Sequence, residues 1–253
     1  MSILLVYLFY AVILSIVLGR AGHRSRPVPT RESLPSDEPA GRFRRILIVG
    51  ATGGTGRHLV ERALERGYEV TALVRNPSKL TIEHSRLTVV QGDVLDPSSL
   101  DAAVAGQDAV LSALGHSKYF YPTRILSDGT ACLLEAMHGR GVSRFVCETS
   151  IGIGDSTGKL GVYYTFFTIP IILPFYYWDK TRQERIIERS NSEWVIVRPG
   201  LLKNSLARGR YRYGSDVGSF LWSVGISRAD VADFMLDQLE SDECLGAAVS
   251  VAW

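Results

Sequence analysis

Arg45-Ile46-Leu47-Ile48-Val49-Gly50-Ala51-Thr52-Gly53-Gly54-Thr55-Gly56 decides the fold. Its first half is a β-branched apolar run, as in a strand buried on both faces. Its second half is a glycine-rich turn. Beyond it Leu59, Val60, Ala63 and Leu64 recur at helical spacing until Gly67 stops the pattern. A strand, a glycine turn and a helix in this order form a cradle for a pyrophosphate. Gly50 permits the tight turn, Gly53 lets the backbone approach the phosphates, and Gly56 allows close helix–strand packing. Thr52, Gly54 and Thr55 complete the loop. The helix start offers free N–H groups and a partial positive charge.

Working outward, strand and helix patterns alternate. The spacing predicts helices over Thr55–Arg66, Ser98–Ala105, Ile125–Arg140, Asp179–Ser190 and Arg228–Leu239. It predicts strands over Arg45–Val49, Glu69–Val74, Leu87–Val90, Ala109–Ala113, Arg144–Glu148, Trp194–Val197 and Ala247–Val251. Such alternation implies an α/β domain, a Rossmann-type doubly wound parallel sheet spanning 44–253. The second strand ends in Val74-Arg75, with Asn76 and Lys79 beyond, where an NAD site usually ends in Asp or Glu. A guanidinium there pairs with a 2′-phosphate, so the expected cofactor is NADP(H).

The 253 residues carry a net charge of +2, which gives no electrostatic case for nucleic acid. The three cysteines have no metal-ligand spacing, so no metal is expected.

Residues 1–19 are uncharged and, as a helix, about long enough to span a bilayer. We read them as a transmembrane anchor; a cleaved signal peptide and a helix packed on the domain are the alternatives. Arg20, His23, Arg24, Arg26 and Arg31 follow and assign the domain to the cytoplasmic side. Residues 20–43, basic and rich in Pro and Ser, read as a disordered tether.

GATGGTG (50–56), LVRNPSKL (73–80), GDVLDPSSL (92–100) and SALG (112–115) resemble the atypical short-chain dehydrogenase/reductases. The nearest group is the NmrA-like and flavin/biliverdin-reductase-like NAD(P)H-binding proteins. RFVCETSIGIG (144–154), DKTRQERIIERSNSEWVIVRPG (179–200) and ISRADVADFML (226–236) extend the resemblance. It implies Asp93 and Val94 at the adenine, and Ala113, Leu114 and Gly115 along the middle of the cofactor. It also implies Thr149 and Ser150 beside the nicotinamide, Lys180 at the nicotinamide ribose, and Pro199 with Gly200 at the nicotinamide end.

Tyr176 and Lys180 have the YxxxK spacing of short-chain dehydrogenases, and Ser150 completes a candidate catalytic set. A helix starting only at Asp179 leaves Tyr176 in a loop with a packing role instead. The charge-free segment Tyr163–Trp178 reads either as a buried loop or as a hydrophobic lid. His116 and His138 read as polar loop or helix-end residues. The expected function is an NADPH-dependent oxidoreductase with a hydrophobic or aromatic acceptor, such as a flavin, quinone or carbonyl compound. The alternative is a non-catalytic NADP(H)-binding regulator or assembly factor at the membrane.

Overall fold

A computed structural model describes residues 3–21, 26–33 and 41–253. The chain begins with helix α1 (Ile3–Ala21) and strand β1 (Arg31–Ser33), then alternates. β2 (Arg45–Val49), α2 (Gly54–Glu65), β3 (Glu69–Val74), β4 (Leu87–Gln91), α3 (Pro97–Val104) and β5 (Ala109–Ser112) make the first half. α4 (Ile125–Arg140), β6 (Arg144–Glu148), a π-helix (Tyr164–Ile172), α5 (Pro174–Glu188) and β7 (Glu193–Pro199) follow. β8 (Leu201–Lys203), β9 (Tyr211–Gly214), β10 (Gly225–Ser227), α6 (Arg228–Glu240) and β11 (Ala247–Ala252) close the chain.

Among the described residues the main sheet runs β1-β9-β11-β7-β6-β5-β2-β3-β4. From β11 to β4 every pairing is parallel. The chain works outward from β2 in both directions, so the strand order reverses between β2 and β5. Ligands bind doubly wound sheets at such a switch point. β2 shows why the run Ile46–Val49 is apolar throughout. Ile46 and Ile48 enter the core on one face, beneath α2 and α6, while Leu47 and Val49 enter the core on the other. Burying each such side chain contributes about 1.5–3 kcal/mol.

Two expectations need correction. First, the tether is partly built into the sheet. Arg31–Ser33 pairs antiparallel with Tyr211–Tyr213, and Val28 is buried in the core. Backbone pairing with an edge strand requires no apolar pattern, so composition did not reveal it. Residues 34–40 of that expectation lie outside the described ones.

Second, α5 starts at Pro174, not Asp179. Proline fits the first helical position because its missing N–H has no helical partner there. Asp179 therefore caps a different helix. Its carboxylate accepts from the backbone N–H groups of Leu126 (3.0 Å) and Ser127 (3.1 Å) at the start of α4.

α1 lies against the domain, the arrangement given above as an alternative to a spanning anchor. Ala11 and Leu18 are buried, and Leu18 packs with Ile153, Ile169 and Tyr177. Among the described residues no helix is long and apolar enough to cross a membrane; the side chains of α1 are described only for 5–20.

Candidate functional site

A cleft of about 680 Å³ opens at the switch point between β2 and β5. Its floor is the glycine turn. Gly50 has φ +84°, and a Cβ there meets the Ala113 carbonyl oxygen at 2.4 Å. At Gly56 a Cβ meets the Gly50 carbonyl oxygen at 2.1 Å. Both positions therefore exclude a side chain. Gly53 is different. It caps α2 in an extended conformation, donates to the Gly50 carbonyl (2.9 Å), and turns its open side to the cleft. Thr52, Gly54 and Thr55 also line the cleft. The Thr55 hydroxyl points inward and donates to Glu148 Oε1 (3.0 Å), so its backbone N–H is what remains to face a phosphate.

Arg75 lines the cleft from the exposed end of β3. No carboxylate occupies that position. Arg57 comes up beside the same loop and donates to the Lys79 carbonyl (3.1 Å). Asp93 and Val94 line the adjoining wall, and Ala113, Leu114 and Gly115 line the middle.

The opposite end holds Thr149, Lys180, Tyr176, Glu148 and His116. α5 divides its labour here: Asp179 points down to α4, and Lys180 reaches the cleft. Lys180 is buried, donates to the Glu148 carbonyl (3.2 Å), and its Nζ lies 5.4 Å from the centre of the Tyr176 ring. Burial alone lowers the pKa of the ammonium. The surrounding Tyr176, Cys147, Glu148 and Glu184 outweigh it, so Lys180 titrates above its ordinary value and stays charged. Burial raises the Glu148 carboxyl, against the pull of Lys180. The His116 ring meets Tyr176 edge-on at 5.0 Å, and burial lowers its pKa, which favours neutral imidazole.

Two expected site residues lie elsewhere. The Ser150 hydroxyl sits 3.0 Å from the Tyr177 hydroxyl, which also donates to the Ile151 carbonyl (3.1 Å). Ser150 thus pairs with the neighbouring, buried tyrosine and does not line the cleft. The helical turn separates the two tyrosines by roughly 100°, so Tyr176 reaches the cleft and Tyr177 the core. Pro199 is buried within β7, opposite Val251, and Gly200 packs under the Val224 carbonyl. Leu202 lines the cleft instead.

Glu148, His116 and Arg228 were not singled out for the site by sequence. Glu148 ends β6 one residue before Thr149, and its register was the available signal. Arg228 begins α6 and crosses the face of Gly54, where a Cβ meets its Nε at 2.4 Å. His116 lies in the loop that follows Gly115.

Behind Thr149 stands a buried ion pair. Arg198 donates to Glu184 through Nη2 (2.7 Å) and Nε (3.0 Å), and it also pairs with Asp155. Glu184 accepts the Thr149 hydroxyl (2.6 Å). Next to it, burial and then Glu184 push the Glu188 carboxyl up to about 7. A folded pKa above the unfolded one means the folded state binds more protons. Stability from this group is complete below the unfolded pKa of roughly 4.3 and is lost as pH rises through about 7. Glu188→Gln should therefore raise the melting temperature at pH 8 and change it little at pH 4. Equal shifts at both pH values would contradict this origin.

Comparison with known proteins agrees with this geometry. The NAD(P)H-binding family matches residues 50–242. The chain belongs to that family. An uncharacterised chloroplastic protein of Arabidopsis thaliana is 30% identical over 219 residues, covering 81% of this chain and 75% of that protein. The photosystem II assembly factor Ycf39 of Synechocystis is 31% identical over 209 residues, 78% of this chain and 59% of that protein. The chain thus spans about three fifths of the length of that second relative. Among solved structures, this member of the NAD(P)H-binding family is similar to ChuY, an anaerobilin reductase from Escherichia coli O157:H7. The TM-score is 0.68 at 23% identity, over 82% of this chain and 96% of that one. A short-chain dehydrogenase/reductase from Veillonella parvula, solved in complex with NADP, has a TM-score of 0.68 at 20% identity. That match covers 83% of this chain and 95% of that one. These two likenesses bear on the fold alone.

Proposed function

We propose that the chain is an NADPH-dependent oxidoreductase acting on a hydrophobic or aromatic acceptor: a flavin, a quinone or a carbonyl compound. The observation that carries this reading is the placing of Tyr176 over the charged Lys180 at one end of the cleft. The glycine turn and the start of α2 would hold the pyrophosphate, and Arg75 the 2′-phosphate. Asp93 and Val94 would border the adenine, and Lys180 the nicotinamide ribose. Bound NADPH supplies a hydride. In this reading the Tyr176 phenol, whose ring faces the Lys180 ammonium, would give the accompanying proton. His116 and Tyr119 pack edge-on against Tyr176 and offer aromatic surface to a planar acceptor.

Attachment to a membrane, with the domain on the cytoplasmic side, belongs to the same proposal. It rests on the uncharged run 1–19 and on the arginines that follow it. A second reading, an NADP(H)-binding assembly factor, is favoured by the Ser150–Tyr177 bond, which removes the serine from the candidate catalytic set. The relative Ycf39 is named as a photosystem II assembly factor.

NADPH consumption, followed by its near-ultraviolet absorbance against a panel of flavins, quinones and aldehydes, separates the two. The oxidoreductase reading expects turnover with at least one acceptor. For a carbonyl acceptor, Tyr176→Phe should lower kcat by about a hundredfold or more. A chain that binds NADPH tightly and consumes it with none of the panel would support the assembly factor.

A further inference from the structure

Among the described residues, the side of the domain next to Tyr176 carries many exposed apolar side chains. α1 buries Ala11 and Leu18 against the domain and turns Phe9 (69% exposed), Val12, Ile13 and Ile16 outward. The π-helix and the start of α5 continue this face with Tyr163, Phe167, Ile171 (56% exposed), Phe175 and Trp178. The two segments are joined: the Tyr7 and Tyr10 hydroxyls donate to the carbonyls of Phe166 and Pro170, and the Tyr7 and Phe167 rings meet at 6.1 Å. A third segment joins through Phe220, whose ring meets Phe166 edge-on at 6.4 Å; Leu221 and Trp222 (76% exposed) follow it. These contacts join three separate chain segments into one exposed apolar face, and such faces mark interaction sites.

The chemistry of the face indicates what covers it. α1 and the segment 160–178 contain no acidic residue, and α1 ends at the exposed Arg20, with His23 and Arg24 next in sequence. Aliphatic side chains make up most of the outer face of α1, and Tyr163, Trp178 and Trp222 accompany them. Aromatic rings with a polar edge favour the depth where headgroups meet acyl chains, and a basic end complements anionic headgroups. We propose that α1, the π-helix and the 220–222 loop form one surface that lies in the headgroup–acyl boundary of a lipid bilayer. This deepens the membrane attachment proposed above and rests on it. In this arrangement α1 lies on the bilayer together with the domain. The Tyr176 end of the cleft, on the same stretch of α5 as the exposed Phe175 and Trp178, then lies near the lipid surface, where an apolar acceptor is dissolved.

The test is flotation of the full chain with phosphatidylcholine vesicles containing phosphatidylglycerol, followed by a high-salt wash. Wild type is expected to float and to stay bound in salt, because apolar burial is not screened. The double variant Ile171→Glu/Trp222→Glu, and separately Ile171→Gln/Trp222→Gln, should partition at least about tenfold more weakly. Both should still titrate with NADPH, which shows that they fold. Val89→Glu, an exposed apolar side chain on β4, should float like wild type. If wild type and both double variants float equally, α1 alone makes the attachment and the composite face is wrong. If wild type does not float, the attachment itself fails; self-association through this face, read by sedimentation, would then name a second copy as its occupant.

Discussion

Gly53→Val is expected to abolish dinucleotide binding while leaving the fold in place. Gly53 sits at the cap of α2 with φ −75° and ψ 171°, a conformation valine adopts readily. A Cβ there meets the Gly50 carbonyl oxygen at 3.1 Å, which a small shift of the turn relieves. The other neighbour of that Cβ, the Ala113 carbonyl oxygen, stands at an ordinary 4.0 Å, and Gly53 lines the cleft. The added methyl groups fill the space that a pyrophosphate needs to reach the N–H groups of α2. The expected loss is about a hundredfold or more in affinity, with a thermal transition close to that of wild type. Retained binding by calorimetry would show that the glycine turn does not hold the cofactor. Gly56→Val would be a poor substitute, because its Cβ meets backbone at 2.1 Å and the fold itself fails.

Glu184→Ala should cause the largest loss of stability. Arg198 is almost wholly buried, and Glu184 takes two of its hydrogen bonds as well as the Thr149 hydroxyl. Removing the carboxylate leaves a buried guanidinium with Asp155 as its remaining acidic partner and a buried hydroxyl without its acceptor. Breaking one side of a buried pair costs about 3–5 kcal/mol. Denaturant unfolding should show that loss. Replacing both partners, as in Glu184→Leu/Arg198→Met, should recover much of it, because no buried charge is left unpaired. If the single variant unfolds within about 1 kcal/mol of wild type, the pair does not have the buried, dry character described here.

The central strands were legible because they are buried on both faces. Runs such as Ile46–Val49 and Val195–Val197 can be read without knowing what they touch, and glycines mark where strands turn into helices. The features that escaped depend on partners distant in sequence. The pairing of Arg31–Ser33 with β9 is made by backbone atoms, which no side-chain pattern records. The start of α5 escaped because Pro174 reads equally as a stop and as a first helical residue. Asp179 was assigned to its own helix when its carboxylate reaches 53 positions back to Leu126.

At the site, Tyr176 and Tyr177 are adjacent and chemically equivalent in sequence, and only the phase of the helix decides which one faces Lys180. Ser150 is expected to join Tyr176 in the candidate catalytic set, whereas the fold gives it to Tyr177. Glu148 and Arg228 carry no motif of their own. They reach the cleft because β6 ends, and α6 begins, at its rim. The glycine turn and Arg75 are legible for the opposite reason: each directly follows a strand, so local sequence is enough to place it; Lys180, inside α5, is reached through its spacing to Tyr176 and the family resemblance.

The central claim is that this cleft holds NADPH through a cationic 2′-phosphate site at Arg75. Calorimetric titration of wild type and Arg75→Ala with NADPH and with NADH tests it most directly. Wild type should bind NADPH at one site and more than about tenfold more tightly than NADH. Arg75→Ala should lose most of that preference, since a charge-assisted pair contributes about 1.5–3 kcal/mol. NADH affinity should be nearly unchanged, because NADH has no phosphate for Arg75 to meet. Equal affinity of wild type for the two cofactors, or an equal loss of both in the variant, would contradict the account.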